Sequence, residues 1–349
     1  MKGDHLTKIL ITGVAGFVGS HMLEHLLINT EATILGIDSL EHRGRLERLR
    51  QVLARDPSWR GRFKFFKYDL AEPNTTDVLS ETFILDLRPN WIINLASESH
   101  VDRSITDPAP FVKNNFNLMV NMLEFARRIK FGSLMGDRFI QVSTDEVFGP
   151  TVGKHGWREW DRTLPSNPYS ASKAAQESLA ISYWRTYQLP LIITNCMNMI
   201  GEMQDVEKFI PQIVKRVLAG EVVKVHAKGK EIGSRHYLHA RNYAAAVLFI
   251  LENLGNPVSY PISQYPDRYN IAGNAHLDNL KLARQVASIL KKPLHYELVD
   301  EHSGRPGHDL HYGLDGSRLV HLGFVAPFEF TKSLKLTVKN YLDHPEWLK

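Results

Sequence analysis

Cysteine is almost missing from this chain. Cys196 is the single one in 349 residues. That excludes an intrachain disulfide and any cysteine-based metal site, and the apolar neighbours of Cys196 suggest a core position. Long apolar runs are missing too. None could span a bilayer and no signal peptide opens the chain, so a cytoplasmic protein is expected. Internal repeats, low-complexity tracts and long linkers are absent. An excess of one charge is also lacking: 42 Lys and Arg stand against 38 Asp and Glu, with 16 His. That balance is too mild for a nucleic-acid partner. The basic residues are spread out except at Arg43, Arg45, Arg48 and Arg50, interrupted by Glu41 and Glu47. This cluster reads as a solvated helix face, with a phosphate or partner patch as the lesser alternative. What is present is ordinary. A content of 43% hydrophobic and 23% charged residues suits a globular protein, and the length suits one large domain or two.

Lys8–Thr12 is a short apolar strand. Gly13-Val14-Ala15-Gly16-Phe17-Val18-Gly19 follows it, then a helical run from Ser20 to Ile28. Gly13 permits a tight turn, Gly16 lets a backbone approach a pyrophosphate, and Gly19 lets the helix pack close to the strand. The helix N-terminus then offers free N–H groups to the anion. The spacing is G-x-x-G-x-x-G, not G-x-G-x-x-G, but both flanks suit a dinucleotide. A second strand, Thr33–Ile37, ends in Asp38. An acid there accepts hydrogen bonds from an adenosine ribose and repels a 2′-phosphate, which favours NAD over NADP. A plain turn role for Asp38 is the alternative, and Arg43 nearby pulls the other way.

Phe63–Tyr68 is a third strand, closed by Asp69 and Leu70. Asp69 is placed either to meet an adenine amino group or to cap the next helix. Trp91–Ala96 is a fourth strand, and the small Ala96 and Ser97 suit close passage over a dinucleotide. Phe139–Val142 and Leu191–Thr194 bring the strands to six. Helices alternate with them, which implies a parallel, doubly wound α/β sheet. The helix from about Pro108 to Lys130 carries Phe111, Phe116, Leu118, Met119, Met122 and Phe125, read as core plus a subunit interface. After Asn195 the pattern shifts to shorter elements. Residues 1–196 therefore read as a dinucleotide-binding domain that also holds the catalytic residues. Residues 197–349 read mainly as a smaller substrate-binding lobe, with some segments returning to the first domain.

Two stretches carry the chemistry. Ser143-Thr144-Asp145-Glu146 leaves the end of an apolar strand, where open parallel sheets bind ligands. Tyr169 and Lys173 stand four apart at the start of a helix and share a face. A phenol beside an ammonium is a proton-transfer pair if the phenol's pKa falls from about 10 by about 3 units. Lys173, helped by a cofactor cation, could supply most of that. Alone, each piece has a blander reading: Tyr-x-x-x-Lys occurs by chance, and Thr-Asp-Glu after a strand caps helices. The loop between Pro150 and Pro168 lacks periodicity and lies next to the carboxyl pair, which suggests that it covers a substrate.

With these residues in view, the chain resembles the extended short-chain dehydrogenase/reductase superfamily, and within it the nucleotide-sugar 4,6-dehydratases. Ala96-Ser97-Glu98-Ser99-His100-Val101-Asp102-Arg103-Ser104-Ile105 is similar to their A-A-E-S-H-V-D-R-S-I. Thr144-Asp145-Glu146-Val147-Phe148-Gly149 matches T-D-E-V-Y/F-G. Arg305-Pro306-Gly307-His308-Asp309, with Tyr312 and Asp315, matches R-P-G-H-D-x-R-Y-A-x-D. The resemblance implies a Rossmann-type sheet with a smaller C-terminal α/β lobe, NAD as cofactor and a homodimer through the Pro108–Lys130 and Tyr169–Tyr187 helices. It also implies roles. Tyr169, with its pKa lowered by Lys173, would act at the sugar 4-hydroxyl beside Thr144. Glu146 would take the C5 proton, and Asp145 would protonate the departing 6-hydroxyl. Gly13, Gly16, Phe17, Val18, Gly19, Asp38, Asp69, Leu70, Ala96, Ser97, Ser99, Tyr169 and Lys173 would hold NAD, with Ser143 facing the nicotinamide. His100, Asn198, Lys208, Arg235, Asn270 and Arg305 would face the nucleotide sugar. His308 stands with them, read as structural rather than as a metal ligand.

There are departures from the family pattern. R-D-W-L-Y-V-E-D becomes Arg235-His236-Tyr237-Leu238-His239-Ala240-Arg241-Asn242. S-N-N-Y-G becomes Met197-Asn198-Met199-Ile200-Gly201, and His311 replaces an arginine. These changes lie in the lobe and leave the nucleotide and the sugar open, with dTDP- or UDP-glucose foremost. A 5,6-dehydratase, an epimerase, a decarboxylase and a non-catalytic NAD sensor or scaffold are the alternatives.

Overall fold

A computed structural model describes residues 7–83, 88–151, 156–254, 257, 261–273, 275–300 and 309–349. Its centre is a seven-stranded sheet. In chain order the strands are β1 (Lys8–Thr12), β2 (Thr33–Asp38), β3 (Phe63–Lys67), β4 (Trp91–Asn94), β5 (Arg138–Thr144), β6 (Leu191–Cys196) and, after an excursion, β11 (Asp267–Ile271). Their spatial order is β11-β6-β5-β4-β1-β2-β3, and every pairing is parallel. The order reverses at β1 and β4, which opens a crevice at the carboxyl edge between them.

Strand residues alternate between two covered faces, as the apolar runs require. Ile9, Ile11, Ile34, Ile93 and Ile192 pack on one side against α1 (Phe17–Asn29) and α8 (Ala240–Asn253). Leu10, Leu35, Ile92, Phe139 and Ile193 pack on the other against α5 (Pro108–Arg128) and α6 (Pro168–Tyr187). The seventh strand lies some 70 residues beyond the sixth and was not among the six read from the sequence.

Two small sheets follow β6. One joins β7 (Asn198–Ile200), β10 (Ser234–His239) and β12 (Ala275–Asp278). The other joins β8 (Val223–Lys228), β9 (Glu231–Ile232) and β13 (Tyr296–Asp300). They share an apolar core with α7 (Phe209–Ala219) and α9 (Asn279–Leu290).

The basic cluster is a solvated face only in part. In α2 (Leu46–Ala54), Arg50 is exposed and pairs with Glu47, but Arg48 is fully buried. A buried guanidinium must fill its donors, and Arg48 does so on three backbone carbonyls and on Asp205. No helix among the described residues is long and apolar enough to cross a membrane.

Candidate active site

Thr12 sets the crevice. Its hydroxyl donates to Asn94 Oδ1 at 2.7 Å and accepts the N–H groups of Leu95 and Ala96 at 3.1 and 3.0 Å. The exit of β4 is thereby pinned against the glycine turn. Gly13 sits at φ +67°, and a Cβ there would lie 3.0 Å from Ala96 Cα. A Cβ on Gly19 would lie 2.1 Å from the Gly13 carbonyl oxygen, so only glycine lets α1 start this close to β1. No side chain caps α1 and no acid stands in its first turn, which leaves its leading N–H groups for an anion.

Asp38 is buried at the end of β2. Its oxygens accept the N–H groups of Ala15 at 3.0 Å and Leu40 at 2.9 Å. Burial pushes its pKa up, and those two N–H groups oppose the rise. Asp69 accepts the Ala71 N–H at 2.9 Å, a local turn contact, and still lines the crevice beside Leu70.

The crevice is a cavity of about 340 Å³. Gly13, Gly16, Phe17, Val18, Gly19, Asp38, Asp69, Leu70, Ala96, Ser97, Ser99 and Ser143 all line it, as do Thr144, Asp145, Glu146, Tyr169 and Lys173. The Ser143 hydroxyl is buried without a hydrogen-bond partner. A glycine cradle, an uncapped helix start, a carboxylate at the β2 end and a spare buried hydroxyl fit a dinucleotide such as NAD.

A second cavity, about 360 Å³, opens beside it towards the lobe. Ser99, His100, Glu146, Asn198, Glu207 and Lys208 line both, and Arg235 lines the second. His100 caps α4 (Val101–Thr106) by accepting the Arg103 N–H on Nδ1 at 3.2 Å. That leaves its Nε2 facing Glu207 at 3.6 Å. Arg235 spends three donor contacts on the carbonyls of Ser234, Asp309 and Leu310, and its guanidinium lies 4.7 Å from the Tyr312 ring centre.

Glu146 sits where the cavities meet, and Asp145 lines the first cavity beside it. Thr144 ends β5 and caps the short 3-10 turn Asp145–Phe148. Its hydroxyl accepts the Glu146 N–H at 3.3 Å and donates to Asp145 Oδ1 at 3.0 Å. Asp145 Oδ2 is buried with no partner. Burial first, then the Glu146 charge, push Asp145 up to about 7. Glu146 is partly exposed and accepts from Asn167 Nδ2 at 3.3 Å. Burial raises its pKa as well, while Asn167, Arg235 and Lys208 resist. Asn167 also caps α6 in a capping box with Ser170, with Pro168 in the first turn. This places Tyr169 in the first turn and Lys173 one turn on.

Two expectations change. The Tyr169 pKa is not lowered, and Lys173 makes no hydrogen bond to it. The lysine Nζ donates to the Val142 carbonyl at 2.6 Å and to Gln176 Oε1 at 2.8 Å. Burial and the Glu146 charge instead raise the phenol well above 10, and burial lowers Lys173 to about 8. Asn270 does not reach either cavity. It is fully buried, and its Nδ2 donates to the carbonyls of Trp157 and Asp315 at 2.9 and 3.1 Å. A loop-like setting and the family resemblance made it look substrate-facing, but it lies in β11 and the 157–160 loop folds over the end of that strand. Arg305 and His308 lie outside the described residues. The sequence reading also missed Asn167, Gln204, Asp205 and Glu207 as cavity neighbours. Asn167-Pro168 was legible as a helix start; the others precede α7 with no motif to mark them.

A parallel sheet with a glycine cradle at its switch point, a Tyr-x-x-x-Lys helix and a carboxyl pair define a nucleotide-binding enzyme of the short-chain dehydrogenase/reductase type. A family model described as GDP-mannose 4,6 dehydratase matches residues 10–336, and the chain belongs to that family of nucleotide-sugar 4,6-dehydratases. It is 33% identical to the dTDP-glucose 4,6-dehydratase of Salmonella typhimurium, over 98% of this chain and 94% of that one. It is 34% identical to the Escherichia coli enzyme of the same name, over 97% and 95%. A crystal structure of the dTDP-glucose 4,6-dehydratase from Streptomyces venezuelae with NAD bound superposes with a TM-score of 0.82. The two are 29% identical, over 98% of this chain and all of that one.

Proposed function

We propose that the chain dehydrates an NDP-glucose to the 4-keto-6-deoxy sugar nucleotide, with dTDP- and UDP-glucose the foremost substrates. It is an NAD-dependent hydro-lyase. The observation that carries the reading is the Asp145–Glu146 pair, with Glu146 at the junction of the two cavities and Asp145 in the first: a buried carboxyl raised to about 7 beside one held by Asn167, Arg235 and Lys208. Unlike surroundings split two adjacent carboxyls into an acid and a base.

NAD, held in the first cavity by the glycine turn and Asp38, would supply hydride-acceptor chemistry at C4 and hydride-donor chemistry at C6. Tyr169 exchanges the proton of the sugar 4-hydroxyl, and Thr144 hydrogen-bonds near the same oxygen. Lys173 orders the α6 face and holds a positive charge below the site. A ketone at C4 acidifies C5–H. Glu146 takes that proton, and Asp145 gives its own to the departing 6-hydroxyl, so water leaves; Glu146 returns a solvent-exchanged proton to C5 as C6 gains the hydride, and no net oxidation results. Asn198, Lys208 and Arg235 hold the diphosphate end. The Arg235 fork is pre-set by its carbonyl contacts. His100 stands between the sugar and Glu207. Residues 1–196 serve as the cofactor half and 197–349 mainly as the nucleotide-sugar lobe, with β11 and α8 returning to the cofactor half. A cytoplasmic location and a homodimer through the outer faces of α5 and α6 complete the proposal. Phe116 and Tyr187, 39% and 48% exposed, support that interface.

The test is incubation with dTDP-, UDP-, CDP- and GDP-glucose in deuterated solvent, followed by mass spectrometry. Loss of water with one deuterium at C5 is expected. Water loss that leaves a 5,6-alkene would reassign the product. Inversion of the sugar without water loss would make the protein an epimerase.

A further inference from the structure

The arginine cluster after β2 plays no part in the chemistry above, yet it ties the two halves of the molecule together. Arg48 Nη1 donates to the carbonyls of Ala15 and Arg43 at 3.1 and 2.6 Å. Its Nε donates to the Met203 carbonyl at 3.0 Å, and its Nη2 to Asp205 Oδ2 at 2.9 Å. One fully buried guanidinium thus joins the glycine turn to the segment leading into α7. Arg45 repeats the link: its backbone N–H donates to the Ala15 carbonyl at 2.9 Å, and its Nε lies 3.5 Å from Asp205 Oδ1. Further out, Arg43 pairs with Glu207.

The lobe end of this link leads to the second cavity. Met203 sits at φ +62°, a left-handed conformation costly for a side-chain-bearing residue. Asn340 Oδ1 accepts its N–H at 3.3 Å, and the Tyr341 hydroxyl donates to the Gln204 carbonyl at 3.2 Å. The Asp205 carbonyl accepts the Lys208 N–H at 3.0 Å. Glu207 and Lys208 then line both cavities. At the other end, Ala15 lies between Gly13 and Gly16, and its N–H is held by Asp38. Substrate-side Lys208, Asp205, Arg48 and cofactor-side Ala15 are therefore consecutive contacts. Arg48 itself lines neither cavity and acts as a positioning residue.

We propose that Arg48–Asp205, with Arg43–Glu207 outside it, is a clasp that couples the two cavities. A nucleoside diphosphate on the lobe keeps the 203–208 segment seated, the clasp holds the glycine turn, and the dinucleotide is released more slowly. The proposal rests on the assignment of the first cavity to NAD and the second to the nucleotide sugar. The clasp is a coupling in binding free energy as well as in release rate, and the equilibrium part is reciprocal: bound NAD tightens nucleotide binding by the factor by which the nucleotide tightens NAD binding.

The experiment measures release of radiolabelled NAD from the full-length holoprotein, with and without saturating UDP or dTDP. In the wild type the nucleotide is expected to slow release by about fivefold or more. Asp205→Asn and Arg48→Lys are expected to bring that ratio close to one, and Arg43→Ala to lower it part of the way. Asp205→Asn keeps the shape of the side chain, so it carries the test if Arg48→Lys fails to fold. A wild-type ratio retained in Asp205→Asn overturns the clasp. So does faster release with and without nucleotide by the same factor, because that marks a merely structural contact. A wild type that binds both molecules without coupling overturns the clasp alone. A wild type that retains no NAD or binds no nucleoside diphosphate overturns the functional reading and the clasp with it.

Discussion

Thr144 donates its hydroxyl hydrogen to Asp145 Oδ1 at 3.0 Å, while Asp145 Oδ2 stays buried and unpartnered. The partnered oxygen is the acceptor, so a proton on this carboxyl belongs on Oδ2. Removal of that proton should matter more to turnover than to shape. Asp145→Asn is expected to cut turnover by about 10²–10⁴. Single-turnover assays with dTDP- or UDP-glucose would check this.

The same substitution should stabilise the fold. Asp145 is raised from 3.8 to about 7, so ionising it in the folded state costs free energy. The contribution of a raised carboxyl is fully present below its unfolded pKa and is lost as pH rises through the folded one. Asp145→Asn should therefore gain about 1–4 kcal/mol at pH 8 and almost nothing near pH 4. Thermal melts at the two pH values read the difference.

Turnover should follow a bell in pH. The alkaline limb falls as Asp145 loses its proton through about 7. The acid limb falls as Glu146, also raised by burial, gains one. Asp145→Asn should abolish the alkaline limb in whatever activity remains. A limb unchanged in that variant would assign it to another group.

Gly13→Ala should cost dinucleotide binding. The added methyl meets Ala96 Cα at 3.0 Å in a backbone at φ +67°. A left-handed backbone alone costs a side-chain-bearing residue about 1–2 kcal/mol. Calorimetric titration with NAD should show affinity weakened by about tenfold or more.

Asn270 offers a contrast. Asn270→Ala strands the carbonyls of Trp157 and Asp315 and should lower stability by about 1–3 kcal/mol. KM for the nucleotide sugar should stay within about twofold. A large KM rise with an unchanged melt would restore it to the substrate site.

The local order of the Rossmann half was readable because its strands are contiguous apolar runs and its turns need glycine at set positions. Lys8–Thr12, Gly13, Asp38 and Thr144 to Glu146 stand where the pattern placed them, since each is positioned by neighbours within a few residues. The partners of Lys173 were not readable. Spacing puts it on the face of Tyr169, but Val142 and Gln176 take its hydrogens, and Val142 comes from another element. The β11 strand escaped for a similar reason: its five residues join β6 only through the parallel ladder, a pairing that local periodicity does not encode.

What the sequence by itself determined was the doubly wound sheet, the glycine cradle and the two carboxyls and phenol that line the first cavity. Those depend on side-chain type and short-range geometry. Tertiary structure alone decided the buried state of Arg48, its bonds to Ala15, Met203 and Asp205, the raised pKa of Asp145 and the upward shift of Tyr169. Each depends on how much water is excluded and on which distant group arrives, and both are set only when the lobe closes on the sheet.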